Sequence, residues 1–461
     1  MKPAIVWFRQ DLRLSDNPAL VHAALSGRPL ICLYVLDDET PGDWRMGAAA
    51  RWWLHHSLMA LDAALTKKGG GLVLRRGAAD KIIPALIRES GAGSIAWNRC
   101  YEPFAVRRDA ALRKALTADG VAVESCNGSL LAEPWEIRTG GGTPFKVYTP
   151  FWKALRSQVN PRTPLQPPNK PAFHRDVKTE ALKSWKLLPT KPDWAKGFDW
   201  TPGEEGAQAA LHGFLGHIAA YGTARDVPGT DGTSRLSPHL HFGEIGPRQI
   251  WHAVRVHSHT QGAEKFLGEI GWREFNHQLL FHHPDLPTRA HDERFTKLKW
   301  RQSEGDFAAW TRGMTGVPIV DAGMRQLWRT GWMHNRVRMI VASFLVKHLL
   351  IDWRRGQRWF WDTLVDADLA NNAANWQWVA GSGADAAPFF RIFNPVLQGE
   401  RFDPGGVYVR RFVPELAEVP DKFIHRPWDA PRAPANYPAP IVALAAGRDR
   451  ALAAFRALPR G

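Results

Sequence analysis

Short apolar runs, each followed by a helix-period segment, fill the first 124 residues, and few folds accommodate that alternation. Ala4–Phe8 (AIVWF), Leu30–Leu36 (LICLYVL), 72–74, 94–97 and 121–124 read as strands. A stretch N-capped by Ser15 (SDNPALVHAAL) and residues 51–65, 80–89 and 107–118 read as helices between them. A strand apolar on both faces needs a cover on each side, and an intervening helix brings the next strand in parallel. The expectation is an α/β N-terminal domain built on a doubly wound parallel sheet. No GxGxxG follows the first strand, which excludes the standard dinucleotide fingerprint.

The pattern then changes twice. From about 150 to 202 the chain is Pro-rich (RTPLQPPNKPAF, LLPTKPDW) without clean periodicity, as in a long connection draped over a surface. Residues 204–221, 247–257, 264–281, 306–311, 318–330, 336–350 and 359–364 place apolar residues three and four apart, so the C-terminal domain reads as mostly α-helical. The division expected is 1–130, a linker over 131–200, and 201–461. A chain of 461 residues exceeds one ordinary domain, in keeping with this.

Sixty Lys and Arg against 45 Asp and Glu leave a net charge of +15, which favours a polyanionic partner through counterion release. A merely soluble basic protein fits that charge equally well. Cys32, Cys100 and Cys126 have no CxxC spacing, so neither a disulfide framework nor a zinc site is expected. With no signal-peptide core and no apolar run of about 18–20 residues, the expectation is a cytoplasmic protein with no membrane partner. The 22 Trp are the unusual number: most must be packing, yet indole is also redox-active and a flat surface for stacking.

Four segments carry candidate chemistry. In DGTSRLSPHL, hydroxyls, backbone N–H groups and Arg235 could meet a phosphate, although such a turn is more often an N-cap. In GEIGWREFNHQ, Glu269, Trp272 and Arg273 share a helix face; they form either a structural cluster or a site where Trp272 stacks on a base. Asn335, Arg338 and Met339 lie close together in GWMHNRVRM. In DADLANNAANWQW, Asp366 and Asp368 lack the spacing of a cation loop, so no metal is expected; an ion pair with Arg338 uses Asp366 better.

TSRLSPHL, GWREF, RGMTGVPIVDAGMRQL, GWMHNRVRM, SFLVKHLLIDWR, DADLANNAANWQW and APFFRIFNPVLQGERFD, together with the opening WFRQDLRLSDNPAL, resemble the photolyase/cryptochrome family. The likeness is greatest to class I-type cyclobutane pyrimidine dimer photolyases, and it runs from Ile5 to about Pro427. It implies light-dependent repair of such dimers in UV-damaged DNA by electron transfer from excited FADH⁻, in a monomer. It implies FAD contacts from Tyr221, Thr233, Ser234, Arg235, Leu236, Ser237, Arg273, Arg338, Asp366, Ala367, Asp368 and Asn372, with Asn372 near the flavin N5. It implies that Glu269 bonds the dimer, Trp272 and Trp378 wall it, and Asn335 and Met339 line its pocket. Arg225, Arg336 and Gln398 would touch the DNA strand, and Trp376, Trp353 and Trp300 would relay electrons.

Around the antenna the resemblance leaves choices open. Phe104 and Ala105 stand where folate-binding relatives commonly carry Asn and Glu, and Arg51 is compatible with a deazaflavin. Methenyltetrahydrofolate, 8-hydroxy-5-deazaflavin and no antenna are the alternatives. The rival functions are a blue-light photoreceptor of cryptochrome type and a (6-4) photolyase. Intact Glu269, Trp272, Asn335, Met339 and Trp378 favour repair over signalling, and Asn335 after His334 favours the cyclobutane dimer over the (6-4) lesion.

Overall fold

Apolar runs become strands where expected: β1 (Ala4–Phe8), β2 (Leu30–Leu36), β3 (Leu72–Arg76), β4 (Ser94–Asn98) and β5 (Ala122–Cys126). They form one parallel sheet in the order β3-β2-β1-β4-β5, with Ile5 level with Ile31 on one side and Ile95 on the other. Every residue of β1 and β2 is buried, which is why these strands are continuously apolar rather than alternating. The covering helices are α1 (Pro18–Leu25), α2 (Ala48–Lys67), α3 (Ala79–Ser90) and α4 (Pro103–Ala118).

The computed structural model describes residues 1–386, 390–432 and 434–459. The chain forms two units interleaved in sequence: Met1–Asp193, Trp200–Ile218 and Ser234–Pro284 in the first, and Trp194–Asp199, Ala219–Thr233 and Asp285–Gly461 in the second. The opening motif of the APFFRIFNPVLQGERFD segment, residues 387–389, lies outside the described residues.

Three expectations about the first unit need correction. The cap of α1 is Asn17, not Ser15: its Oδ1 accepts from Leu20 N at 3.1 Å, and Pro18 occupies the first helical position, where no N–H is needed. Helix α4 begins at Pro103, four residues before the expected start, for the same reason. The segment read as an irregular linker opens with α5 (Tyr148–Gln158), whose Tyr148, Phe151, Trp152 and Leu155 fall at helical spacing. Further along, the same segment runs beside the sheet, Leu30 N donating to Ala172 O at 2.8 Å and Glu180 N to Leu74 O at 3.0 Å.

Polar residues of the opening motif hold loops together inside the first unit. The buried Arg13 guanidinium donates to the carbonyls of Ser15, Asp16, Gly128 and Gly243 at 2.7–2.9 Å. Asn98 donates to Asp11 Oδ2 at 2.6 Å and to Asn17 Oδ1 at 2.8 Å. A buried guanidinium is tolerable only because its N–H groups are met this fully. The remaining helices of this unit are α6 (Glu204–Leu215), then α8 (Ser237–His241), α9 (Pro247–Arg255) and α10 (Gln261–His282), with α7 (Tyr221–Ala224) belonging to the second unit.

The second unit is helical: α11 (Glu304–Arg312), α12 (Pro318–Thr330), α13 (Asn335–Ser343), α14 (Trp353–Thr363), α15 (Leu369–Ala380), α16 (Pro395–Phe402), α17 (Val407–Phe412) and α18 (Leu444–Arg456). The helix expected over 336–350 ends early as an α-helix and passes into a π-helical turn at Phe344–His348. Trp310, Val320, Leu327, Val341, Phe344, Trp353, Phe360 and Trp376 share its apolar core. No helix among the described residues is long and apolar enough to cross a membrane.

Candidate active site

The first unit presents its candidate residues on α10. Thr260 caps the helix, its Oγ1 accepting from Ala263 N at 3.2 Å, and 22 residues of helix carry Glu269, Trp272 and Arg273 at three- and four-residue spacing. The Trp272 indole lies flat against the Tyr148 ring, centroids 3.7 Å apart and planes 10° apart. Glu269 has Lys265 one turn back at 3.9 Å. Arg273 donates to the carbonyl of Ser129 at 2.7 Å, which ties the loop after β5 to α10. Beside it, buried Glu274 accepts from Leu131 N at 2.9 Å; burial raises its pKa.

The Ser234–Ser237 part of the phosphate-loop candidate also belongs to this unit. Arg235 has φ of 51°, the left-handed region, so the backbone reverses sharply before α8. Its guanidinium lies 5.8 Å from the Trp200 ring centroid; Leu236 is buried, Ser237 is exposed and Ser234 is half-buried. Arg51, the deazaflavin candidate, is ion-paired with Asp38 and donates to Met46 O at 3.0 Å, while Phe104 and Ala105 lie in the first turn of α4.

In the second unit α13, α14 and α15 bring the other candidates together. Arg338 Nη2 meets Asp366 Oδ2 at 2.8 Å, and Arg338 Nε donates to Met333 O at 2.7 Å. The Asp366 side chain is only 3% exposed, and Arg338 offsets the cost of holding its charge out of water. Asp368 caps α15, its Oδ1 accepting from Asn371 N at 2.7 Å and Asn371 Nδ2 at 2.8 Å. Asn372 donates to Gln357 O at 3.1 Å. Ala367 is buried between the two aspartates in sequence. Among the described residues no group of three or more His, Cys, Asp or Glu is placed to hold a metal.

Arg336 pairs with Asp226 at 2.8 Å and lies 4.4 Å from the Phe402 ring centroid. Asn335 is exposed at the start of α13, and Met339 one turn on is half-buried. His334 caps that helix through Nδ1, accepting from Arg336 N at 3.2 Å; burial above all lowers its pKa to about 4, so the ring is neutral. Arg225 lies 5.4 Å from the centroid of buried Tyr221, and Thr233 is half-buried. Trp378 donates from Nε1 to Asp385 O at 3.1 Å, and Gln398 is half-buried on α16.

Trp376 and Trp353 are sealed in the unit's core, and Trp300, half-buried, packs against the same cluster. Two residues went unnoticed in the sequence. Gln357 is fully buried in α14 with neither amide atom hydrogen-bonded, and the WRRGQRW run gives no periodic reason to bury an amide. Tyr148 lay in the supposed linker, yet its spacing to Phe151, Trp152 and Leu155 was a readable helical signal.

A family description, DNA photolyase, matches residues 4–171, and a second, FAD binding domain of DNA photolyase, matches residues 266–457. The chain belongs to the DNA photolyase family. Deoxyribodipyrimidine photo-lyase of Agrobacterium fabrum is 53% identical over 474 residues, covering 99% of this chain and 98% of that protein. A solved bacterial class III photolyase from Agrobacterium tumefaciens superposes with a TM-score of 0.96 at 53% identity, covering 99% of this chain and 98% of the other. The motifs quoted above did not separate class III from class I. Cryptochrome-1 of Arabidopsis thaliana is 40% identical, across 96% of this chain and 68% of the plant protein.

Photolyase membership makes FAD the cofactor. The second unit's residues fit it: an isoalloxazine edge offers both donors and acceptors, and here the Gln357 side-chain amide is buried without a partner while the Gln357 backbone carbonyl accepts from Asn372. A carboxylate and a guanidinium, Asp366 and Arg338, stand fixed against each other nearby in the chain's fold.

Proposed function

We propose that this photolyase repairs cyclobutane pyrimidine dimers in DNA under blue light. The observation that supports it most is the set of side chains Glu269, Trp272, Asn335, Met339 and Trp378, which suits a flat, non-basic lesion rather than one needing a second histidine. When bound, FAD supplies the light-driven transfer of one electron to the lesion and its return. The chain's own residues bind and orient. Tyr221 and Thr233–Ser237 would hold its pyrophosphate, Arg273 would support that binding, and Arg338, Asp366, Ala367, Asp368 and Asn372 would hold the flavin and ribose.

Arg338 would balance negative charge on the flavin, and Asn372 would offer it an amide that can donate and accept without surrendering a proton. Glu269 hydrogen-bonds the extruded dimer. Trp272 and Trp378 stack against it, Asn335 and Met339 complete the pocket, and Arg225, Arg336 and Gln398 contact the strand. The +15 charge holds phosphates without reading sequence. Trp300, Trp353 and Trp376 would relay electrons inward. Residues 1–130 serve as an antenna domain on this reading, 131–200 as a connection, and 201–461 as the FAD- and DNA-binding part of a monomer.

The test is to illuminate the reduced protein with two oligonucleotides, one carrying a cyclobutane dimer and one a (6-4) lesion. Repair of the first alone is expected. Repair of the second alone reverses the substrate assignment, and repair of neither, from a protein that still holds FAD, favours a photoreceptor like its cryptochrome relatives.

A further inference from the structure

Helix α10 owes the set of its lesion-side residues to a second element that the proposed mechanism leaves unused. Helix α5 lays Tyr148 and Trp152 into a notch cut by two glycines of α10, Gly268 and Gly271. A Cβ on Gly271 would fall 2.5 Å from the Trp152 ring and 2.9 Å from the Tyr148 hydroxyl, and one on Gly268 would sit 3.5 Å from that hydroxyl. The hydroxyl itself donates to Gly268 O at 2.6 Å, one turn before Trp272. Trp152 continues the stack, parallel to Tyr148 within 10° at a centroid separation of 6.5 Å. Arg156, one turn further along α5, closes the contact with an ion pair to Glu264.

We propose that Tyr148 is a positioning residue for the lesion: it backs one face of Trp272 so that the other is presented flat to an extruded pyrimidine dimer. The argument rests on the repair reading above. Three constraints act together. The parallel ring at 3.7 Å fixes the tilt of the indole, the hydroxyl fixes the phenol along α10, and the glycines fix how closely the two helices approach. An indole free to turn about χ1 and χ2 would have to be ordered when the lesion binds; one already clamped by a ring does not lose that freedom at that moment. Burial, and after it the Glu269 carboxylate, push the Tyr148 phenol above its ordinary range, so the donor to Gly268 stays protonated at any working pH.

The test compares Tyr148→Leu and Tyr148→Phe with wild type in the FAD-loaded protein. Binding is measured to one oligonucleotide with and without a cyclobutane dimer, alongside thermal melting and repair per absorbed photon at saturating lesion. The Leu variant should lose about five- to tenfold in affinity for damaged DNA, the cost of ordering one freed side chain on binding, with undamaged DNA bound as before. The Phe variant, which keeps the ring, should recover most of that loss, and repair at saturation should change by less than about twofold in both. Equal preference for damaged DNA in the Leu variant and wild type would overturn the proposal. So would a parallel fall in both affinities with a lowered melting temperature, the mark of a merely structural residue. Wild type that shows no preference for damaged DNA overturns the repair reading instead, which keeps the two failures distinct.

Discussion

Two indoles, one on α10 and one on α15, sit in opposite surroundings. On α10, Trp272 is half-buried and meets its neighbour Tyr148 face to face at 3.7 Å. On α15, Trp376 is 3% exposed and meets Phe360 edge-on at 5.0 Å and 72°, with Trp310 at 6.3 Å and 70°. A parallel pair leaves a flat surface that another ring can extend. An indole packed on all sides fills volume and has no flat side left to offer. Residue type alone does not separate a binding indole from a sealed one; the burial does. The end of α15 is sealed as well: buried Lys347, its pKa held well below the ordinary lysine range by burial, donates to Ala380 O at 2.7 Å.

Filling a glycine notch beside each helix should separate the two regimes most sharply. Gly356 on α14 abuts the Trp376 ring, and an added Cβ would also lie 2.7 Å from Leu345 Cδ2. Both neighbours are buried and have nowhere to move, so Gly356→Ala should cost about 2–3 kcal/mol despite the better helix propensity of Ala. Gly271→Ala presses on Trp152 and Tyr148, which are half-buried and can swing outward. Its stability should change by less than about 1 kcal/mol, since the propensity gain offsets the crowding, while affinity for damaged DNA falls. Chemical denaturation of both variants checks this; equal costs would erase the distinction between sealed and adaptable aromatics.

A sealed indole is suited to carrying an electron because water cannot reorganise around it. Trp376→Phe removes the oxidisable ring and keeps an aromatic filler, and photoreduction of oxidised FAD should slow by at least about tenfold. Repair by protein reduced chemically beforehand should persist. A melting curve must accompany the measurement, since the smaller ring leaves a cavity worth about 1–2 kcal/mol. Photoreduction at the wild-type rate would remove Trp376 from the electron path and leave it as core alone.

Much of the fold was legible because the sheet's signals are local. β1 and β2 have the bounds their apolar runs give, and α12 spans Pro318–Thr330 because Val317, Pro318 and Gly331 mark its ends. Other features were not local. Asn17 displaced Ser15 as a cap because Pro18 fixed the first helical residue, a competition visible only once both are placed. Tyr148 was lost between Pro144 and Pro150, ahead of the Pro-rich run that starts at Pro161. The Arg338–Asp366 pair could be guessed from charge, whereas the burial of Gln357 on α14 could not: an amide without a partner carries no pattern in sequence. Roles for Glu269 and the tryptophans were reachable only through family motifs, because a carboxylate and an indole on one helix face are compatible with plain packing.

Acid offers the finest probe of the difference between the helices. His348, in the π-helical turn that packs against α15, is 2% exposed; burial first, and then Arg450, lower its pKa from 6.5 to about 4. The unfolded chain therefore binds a proton between pH 6.5 and 4 that the folded protein refuses, so this site's contribution is complete above pH 6.5 and is lost as pH falls towards 4. On α10 the sign is reversed. Buried Glu274 has a raised pKa, so its contribution is complete below 4.5 and is lost as pH rises through its folded value. Subtracting the stability of a His348→Gln variant from that of wild type isolates the imidazole from Glu274, His334 and every other common group. That difference should shrink by about 1 kcal/mol between pH 7.5 and pH 5.5. A difference independent of pH would mean that water reaches His348, and that the surroundings of α15 are no drier than the face of α10.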